Sequence, residues 1–209
     1  MEKRNTKQII LEEALNLFSR KGYESTSVAD IAQAVGIQAA ALYKHYKNKQ
    51  DIFDAILHEM IERYERYTNT IQLNGSEPDK DRDFFMGINE EQLINIGIGL
   101  FSYFLHDEYT CKARKMLTIE QYNNTHISSI YIKQYFDDPL DFQSRMFDMF
   151  IQSSRVLPGD SKIMALHFYA PIFLCIKLCD SQPKREPEMV EMIKTHIVQF
   201  NKIYQIAKK

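Results

Sequence analysis

The amino-acid sequence predicts an all-α protein of about nine helices. The chain has only seven glycines and six prolines in 209 residues, so breaks in regular structure are few. Apolar residues recur at intervals of three and four over long stretches, which is the period of one helix face, and no segment shows a convincing strand alternation. With 44% hydrophobic and 26% charged residues, the chain can also bury a globular core.

The first helix is predicted over residues 7–21, where apolar residues recur on one face. These residues are Ile10, Ala14, Leu17 and Phe18. Gly22 follows directly. It is expected to end the helix in a left-handed cap, because glycine has no Cβ that would clash there.

A short second helix is predicted to begin after Ser27 and to stop at Gly36. Ser27 is a preferred N-cap residue, and the charge of Asp30 favours the positive end of the helix. The apolar stripe of this helix consists of Val28, Ile31, Ala32 and Val35. A third short helix is predicted from about Gln38 to Tyr46, so that a glycine turn joins two short helices behind a longer one.

The rest of the chain is predicted to contain one long helix and a series of further helices, joined by loops. The long helix runs over about 49–67, and the polar residues 74–83, with a glycine and a proline, form the clearest loop. Further helices are expected at about 89–106, 109–122, 128–136, 139–153, 161–179 and 188–206. Pro139 is placed to open one of them at its first position, and Pro171 is expected to kink another.

Four motifs follow one another near the N-terminus: Gly22-Tyr23, Ser27-Val28-Ala29-Asp30-Ile31-Ala32, Val35-Gly36-Ile37 and Leu42-Tyr43-Lys44-His45-Tyr46-Lys47-Asn48-Lys49. In order and spacing they resemble the DNA-binding domain of the TetR family of transcriptional regulators. The resemblance implies a helix-turn-helix DNA-binding domain in residues 1–48. It further implies a helical effector-binding and dimerisation domain in residues 49–209, where the likeness is one of length, helicity and general plan.

On this resemblance, the second short helix enters the major groove of operator DNA. Four apolar contacts are expected to hold the short helices at their angle: Ile31, Ala32, Leu42 and Tyr46. The candidate DNA contacts are Ser27, Gln38, Ala39, Ala40, Tyr43, Lys44, His45, Lys47 and Lys49. Hydroxyls, cations and helix N-termini bind phosphates, whereas Gln38 can bond adenine and the two alanines can touch thymine methyls. The alternative for Tyr43 is a packed aromatic side chain.

One recognition helix reads only a few base pairs, so a homodimer that spaces two copies about 34 Å apart is implied. The resemblance assigns dimerisation to the helices at 161–179 and 188–206, which carry apolar residues on more than one face. A small apolar or aromatic effector is expected among the middle helices. Its candidate contacts are Phe101, Phe104, Met116, Glu120, Phe147, Phe150 and His167, although such residues also build plain cores.

Two glycines in the middle region, Gly97 and Gly99, interrupt a helical pattern and suggest close helix approach or space for a ligand. The resemblance further implies a mechanism. Ligand-free dimer holds its recognition helices at operator spacing, and effector binding moves the helix at 49–67 and changes that spacing, with repression as the usual family outcome.

The charge distribution agrees with a DNA-binding head. The net charge of −2 is the sum of +3 over residues 1–50, −9 over 51–110 and +4 over 111–209. A near-neutral total argues against indiscriminate binding to nucleic acid. The sequence carries no signal-peptide pattern and no unbroken apolar run near the roughly 20 residues that span a bilayer, so a cytoplasmic protein without membrane association is expected.

Two other classes of protein are alternatives to the regulator. An enzyme is disfavoured because the common nucleotide-binding, nucleophile and metalloprotease motifs are missing from the sequence, and no cofactor, metal or catalytic residue is predicted. A structural helical adaptor remains the third class. Cys175 and Cys179, one helical turn apart, are expected to be buried small hydrophobic residues, with a redox or metal role as the alternative.

Overall fold

The computed structural model describes residues 5–204 and confirms the all-α fold within them. Its helices are α1 Thr6–Lys21, α2 Val28–Val35, α3 Ala39–Leu42, α4 Lys49–Thr70, α5 Pro78–Gly87, α6 Glu90–His106, α7 Glu108–Glu120, α8 Thr125–Ile132, α9 Asp138–Gln152, α10 Ser161–Ser181 and α11 Glu186–Tyr204. A π-helical turn, Lys133–Asp137, joins α8 to α9, and a 3-10 turn, Pro183–Arg185, precedes α11. Residues 205 and 206, which the last predicted helix included, lie outside the described part of the chain.

The helices group into two compact units. The first unit combines the chain up to Tyr64 with Asp107–Ile132, and the second combines Glu65–His106 with the chain from Lys133 onward. Most of α4 therefore belongs to the first unit, as do α7 and α8. The functional boundary predicted at residue 48 stays a prediction, because compactness alone does not test which residues bind DNA or effector.

The first helix ends as predicted at Gly22, but the left-handed cap is wrong. The Gly22 N–H donates to the Phe18 carbonyl at 3.0 Å, which closes the last helical turn. Its φ is +91° with ψ at 159°, so the backbone leaves in an extended direction. The Gly22 carbonyl then accepts the Thr26 hydroxyl at 2.8 Å, which folds the chain back toward α2. The positive φ still requires glycine.

The second helix has the ends that the sequence predicts. The Ser27 side chain accepts from the Asp30 N–H at 3.1 Å, and the Asp30 carboxylate accepts from the Ser27 N–H at 2.8 Å, so both halves of a capping box are present. At the other end Gly36 adopts the left-handed conformation, with φ at 78° and ψ at 29°. The Ile37 N–H donates to the Ala32 carbonyl at 2.9 Å and completes the cap.

The third helix is shorter than the predicted span of 38–46. Regular α-helical structure covers only Ala39–Leu42. The chain continues as tighter turns, in which the Lys44 N–H donates to the Ala41 carbonyl and the His45 N–H to the Leu42 carbonyl. These i to i−3 bonds are of the 3-10 type, which is common in the last turn of a helix.

The predicted loop at 74–83 is wrong in its second half, because α5 begins at Pro78. Proline suits the first turn of a helix, where its missing N–H is not needed. The Asp81 carboxylate is 2% exposed and accepts from the N–H groups of Asn74 and Gly75 at 2.7 and 2.8 Å. A charged residue inside this polar run therefore satisfies the preceding turn, and the run is ordered although its composition is typical of a loop.

The predicted break between residues 136 and 139 is also absent. The π-helical turn carries the chain from α8 directly into α9, and Pro139 stands at the second rather than the first position of α9. Proline cannot donate to the carbonyl four residues earlier, which belongs to Tyr135. The Tyr169 hydroxyl donates to that carbonyl at 2.9 Å instead. A side chain from α10 thus bonds the carbonyl to which the Pro139 nitrogen cannot donate.

The last two long helices form the apolar core of the second unit with α6 and α9. One buried cluster centres on Phe101, Ile193 and Ile197, and a second centres on Phe147 and Phe200. The thiols of Cys175 and Cys179 are buried in the first cluster, as predicted, and burial raises the pKa of both. α10 continues through Pro171, and the predicted kink stays a prediction. By length and composition α10 is apolar enough to cross a membrane, and it packs here against α9 and α11.

Candidate DNA-binding site

The inner face of the helix-turn-helix is fixed by the four residues predicted to hold it. Ile31 and Leu42 are 0% exposed, Ala32 is 2% exposed and Tyr46 is 4% exposed. The Tyr46 hydroxyl also donates to the Lys7 carbonyl at 3.3 Å, which ties the end of the recognition segment to α1. These contacts leave the other face of α3 available to a partner.

Most of the candidate DNA contacts are accessible to solvent. Seven of the nine are exposed: Ser27, Gln38, Ala39, Ala40, Tyr43, Lys44 and Lys47. The other two, His45 and Lys49, are half-buried. Tyr43 is 53% exposed, so it is not a packed core aromatic. These exposed side chains lie at the start of α2, which is Ser27, and in residues 38–47, and their contact with DNA stays a prediction.

Two candidate phosphate contacts already have partners within the protein. The Ser27 hydroxyl donates to the Asp30 carboxylate at 2.7 Å, and hydrogen bonds from Ser27 hold the pKa of that carboxyl below its usual value. The Lys49 ammonium donates to the Tyr23 carbonyl at 2.8 Å and lies 4.1 Å from the centre of the Tyr23 ring. Lys44 and Lys47 are thus the better placed cations for a phosphate backbone.

The first turn of α4 contains a feature that the sequence prediction missed. The Asp51 carboxylate accepts from the Lys47 N–H at 2.9 Å, while the Asp51 N–H donates to the Asn48 side chain at 2.8 Å. Asn48 thus caps the start of α4, and the Asp51 carboxylate holds the backbone N–H of Lys47, one residue before the cap. The signal was present in the sequence as an Asn followed three residues later by an Asp.

The candidate effector contacts do not form one cluster. Phe101 and Phe104 belong to one aromatic and aliphatic cluster of the second unit, and Phe147 and Phe150 belong to another. Phe168, which the prediction omitted, packs against both clusters. His167 is exposed, and its Nδ1 lies 2.5 Å from the Tyr204 hydroxyl. Met116 and Glu120 lie on α7 in the first unit.

The two glycines of α6 are explained by close packing. A Cβ on Gly97 would lie 2.9 Å from Ile197 Cδ1 on α11. A Cβ on Gly99 would lie 2.9 Å from the Tyr67 hydroxyl, and the Tyr67 ring stacks on Tyr103 with centroids 4.4 Å apart. A neighbouring side chain thus approaches closely at both positions, and space for a ligand stays the other prediction.

Comparison with known proteins supports the interpretation of the N-terminal segment. Residues 10–56 match the model of the bacterial regulatory proteins of the tetR family. The chain is 47% identical over 55 residues to the HTH-type transcriptional regulator AcrR of Shigella flexneri, a match that covers 26% of each chain. It is 25% identical over 200 residues to the HTH-type regulator YttP of Bacillus subtilis, covering 96% of this chain and 88% of the relative.

Solved structures extend the likeness in fold to the whole chain. SmeT, the repressor of the Stenotrophomonas maltophilia multidrug efflux pump SmeDEF, superposes with a TM-score of 0.66 at 19% identity, covering 99% of this chain and 94% of SmeT. The flavonoid-responsive regulator FrrA superposes with a TM-score of 0.67 at 16% identity, covering 97% and 98%. At these identities the likeness concerns the fold.

The sequence motif, the buried contacts between the two short helices and the match over residues 10–56 define a helix-turn-helix domain of the DNA-binding type. Over its length the chain shares the fold of solved structures described as TetR-family regulators, and residues 10–56 match the model of that family.

Proposed function

We propose that this protein is a cytoplasmic, ligand-responsive repressor that binds a near-palindromic operator as a homodimer and leaves it when a small effector binds. In this proposal residues 1–48 bind DNA and residues 49–209 bind effector and dimerise. Two relatives lend support, since the repressor ComR of Escherichia coli and the negative regulator IcaR of Staphylococcus epidermidis match the N-terminal segment at 43% and 47% identity. These matches cover 26% of ComR and 25% of IcaR.

The observation that carries the DNA-binding part is the exposed outer face of α3. Gln38, Ala39 and Ala40 are exposed at its start, so their side chains do not pack in the core. A glutamine can form two hydrogen bonds to adenine in the major groove, and alanine can contact the thymine methyl group. An operator half-site rich in A·T pairs follows from this composition.

Gel-shift titration against a duplex from upstream of the protein's own gene tests this part. Gln38→Ala is expected to relax the preference among single-base variants of the duplex, worth about 1–3 kcal/mol at the contacted pair. The matched control is Gln33→Ala, which removes an exposed glutamine from α2. Lys44→Ala and Lys47→Ala should each weaken binding to all sequences and reduce the salt slope by about one. Equal base preference in Gln38→Ala and wild type would remove Gln38 as the reader.

The dimer part rests on apolar residues that α10 and α11 leave exposed. On α10 the exposed fractions are 46% for Ile163, 46% for Leu166 and 56% for Leu174, and the three share one helix face. On α11 they are 45% for Met192 and 61% for Ile203. Large apolar side chains exposed on one helix face are a feature of protein interfaces. A second copy is the partner argued for, because two recognition helices are needed to read a near-palindromic site.

Sedimentation velocity with charge substitutions tests the dimer. Leu174→Glu is expected to shift the protein to monomer at micromolar concentration, since a buried unpaired charge at an interface is strongly unfavourable. Leu157→Glu is the matched control, because Leu157 is 43% exposed and lies outside both helices. A dimer that survives the first substitution as well as the second would contradict this assignment.

An effector with an aromatic ring is the class best supported. Four aromatic rings meet in the second unit: Phe147 lies 6.1 Å from Phe150, 6.1 Å from Phe168 and 5.4 Å from Phe200, centroid to centroid. Two structural neighbours are described with such ligands, one as a complex of SmeT with triclosan and one as flavonoid-responsive. We therefore expect triclosan or the flavonoid quercetin to raise the melting temperature and weaken duplex binding. Duplex affinity that is unchanged by a probe that binds would refute the effector mechanism.

A further inference from the structure

A short segment between α1 and α2, here called the α1–α2 corner, comprises residues 22–26. Its second residue, Tyr23, is 7% exposed. The Tyr23 ring packs edge-on against Phe18 of α1 and Phe53 of α4, with ring centroids 5.2 and 5.0 Å apart. The Tyr23 hydroxyl donates to the Gln50 side chain at 3.0 Å. The corner leads directly into Ser27, the cap of α2. The direction in which α2 and the recognition helix leave α1 is therefore set by the conformation of the corner.

One residue of α7 reaches this corner. Glu120, the last residue of α7, is 2% exposed, and its Oε1 accepts a hydrogen bond from the Glu24 N–H at 3.2 Å. A Cβ built on Gly22 would lie 2.2 Å from the same oxygen. Gly22 is thus a glycine for two reasons: its φ of +91° and the carboxylate that occupies the space of a side chain.

The next turn of the chain adds a second contact to the corner. The Asn124 side-chain amide donates to the Glu24 carboxylate at 2.7 Å. The Asn124 Oδ1 accepts from the N–H groups of His126 and Ile127 at 3.0 and 3.1 Å, so the same side chain caps the start of α8. Together, Glu120 and Asn124 hold the backbone and the side chain of Glu24 from the end of α7 and the start of α8.

The rest of α7 is fastened along α1 and α4 within the same unit. The Lys112 ammonium donates to the Asn16 side chain at 2.5 Å, and Asp107 pairs with Arg63 of α4 at 3.2 Å. Displacement of α7 along its axis would therefore shift the Glu120 carboxylate relative to the Glu24 N–H in the corner. α7 begins one residue after the end of α6.

The Glu120 carboxylate is buried, and only one of its two oxygens is hydrogen-bonded within the described residues. Its second oxygen, Oε2, is buried and has no hydrogen-bond partner among the described residues. The Glu24 carboxylate, of like charge, is held nearby by Asn124. A buried charged group with incomplete hydrogen bonding is costly. The contact is thus specific in geometry but only weakly favourable, which suits a contact that has to open.

We propose that Glu120 is a positioning residue for operator binding: it holds the α1–α2 corner in the DNA-binding orientation, and release of this contact when α7 moves is the step that lowers operator affinity. This inference rests on the proposed function. It names the regulated contact, which the resemblance to the family does not supply.

Binding of a selected duplex tests the inference. The probe is the tightest duplex that the wild-type protein selects from a random library, compared with versions whose half-sites lie one base pair closer or farther apart. Glu120→Ala is expected to weaken binding of the selected duplex about tenfold and to flatten the preference for half-site separation. Binding of a non-specific duplex should not change. Glu108→Ala is the matched control, since that carboxylate on α7 is 82% exposed.

A double-mutant cycle tests the steric part. Gly22→Ala places a methyl group against the carboxylate and should weaken selected-duplex binding as Glu120→Ala does. In the double variant the carboxylate is gone, so the loss is expected to be smaller than the product of the two single losses. Losses that simply multiply would overturn the proposed contact between the two positions. Glu120→Asp, which keeps the charge but shortens the side chain, should give an intermediate loss and serves if Glu120→Ala does not fold.

Hydrogen exchange separates this inference from the proposed function. Amide exchange over residues 22–26 is expected to rise in Glu120→Ala or Glu120→Asp and not in Glu108→Ala, whether or not DNA binds. If wild type selects no duplex, the proposed function fails. If exchange at the corner is unchanged, or if selected and non-specific duplexes lose equally, the role of Glu120 is overturned.

Discussion

The helix-turn-helix and the second unit differ in where the partners of their helix ends lie in the sequence, although Tyr46 and Glu120 also make distant contacts in the unit of the former. In the former, helix ends are completed by neighbours: Ser27 and Asp30 are three residues apart, and Gly36 caps the helix that it follows. In the second unit Tyr169 satisfies the carbonyl of Tyr135, 34 residues away, and Arg155 binds carbonyls 67 and 69 residues away. Identity to relatives follows the same division, at 47% over 55 residues and 25% over 200. Local signals form a readable motif, whereas distant contacts leave no motif.

The largest expected effect is in the core of the helix-turn-helix. Leu42 is 0% exposed, and Leu42→Ala should lower the free energy of unfolding by about 3 kcal/mol, because it leaves a cavity where α3 meets the rest of its unit. Leu157→Ala in the second unit is the control, at 43% exposure. Urea unfolding monitored by circular dichroism measures both. Similar losses of unfolding free energy at the two sites would mean that the packing of Leu42 does not stabilise the helix-turn-helix.

The next effect tests the distant contacts of the second unit. The Arg155 guanidinium donates to two carbonyls. One belongs to Met86 in the last turn of α5, and the other, at 2.8 Å, belongs to Ile88 directly after α5. Arg155→Met should lower the free energy of unfolding by about 2 kcal/mol, because carbonyls lose charged hydrogen bonds. Arg82→Met, which removes an exposed pair with Asp83, is expected to change it by less than about 1 kcal/mol. Hydrogen exchange near residue 88 locates the loss, and unchanged exchange there would contradict the prediction.

A smaller effect is expected for the local cap. Ser27→Ala removes the side-chain half of the capping box and should lower the free energy of unfolding by about 1 kcal/mol. Ser129→Ala is a matched control, since the Ser129 hydroxyl bonds the Thr125 carbonyl inside α8 and caps nothing. The two variants are compared by thermal unfolding. A control that loses as much stability as Ser27→Ala would show that capping does not distinguish the two serines.

The smallest effect concerns alkaline pH. Burial raises the pKa of Tyr109, on α7, above its ordinary value near 10, with a further contribution from Glu59. A folded-state pKa above the unfolded one means that the associated stability is present below about pH 10 and is lost as the pH rises further. Tyr109→Phe should therefore show a shallower fall in stability above pH 10. Tyr122→Phe, at 88% exposure, should follow wild type, and identical slopes in all three proteins would contradict the effect.

Much of the candidate site could be predicted from the sequence because its determinants are local. The N-cap at Ser27, the left-handed Gly36 and the buried Ile31 and Leu42 follow from residue types and helical spacing. The cap that Asn48 provides for α4 was readable but missed. The internal partner of Lys49, by contrast, could not be inferred, since the Tyr23 carbonyl lies 26 positions away in sequence.

The sequence by itself determined the helical class and the DNA-binding motif, because hydrophobic period, caps and glycine positions act within a few residues. Three features became visible in the tertiary structure alone. A helix, α5, lies inside a polar run, and a π-helical turn replaces the predicted break before Pro139. Glu120 belongs to the same compact unit as the helix-turn-helix. Each of these depends on a partner that folding brings close. No local pattern encodes the distance at which such a partner lies.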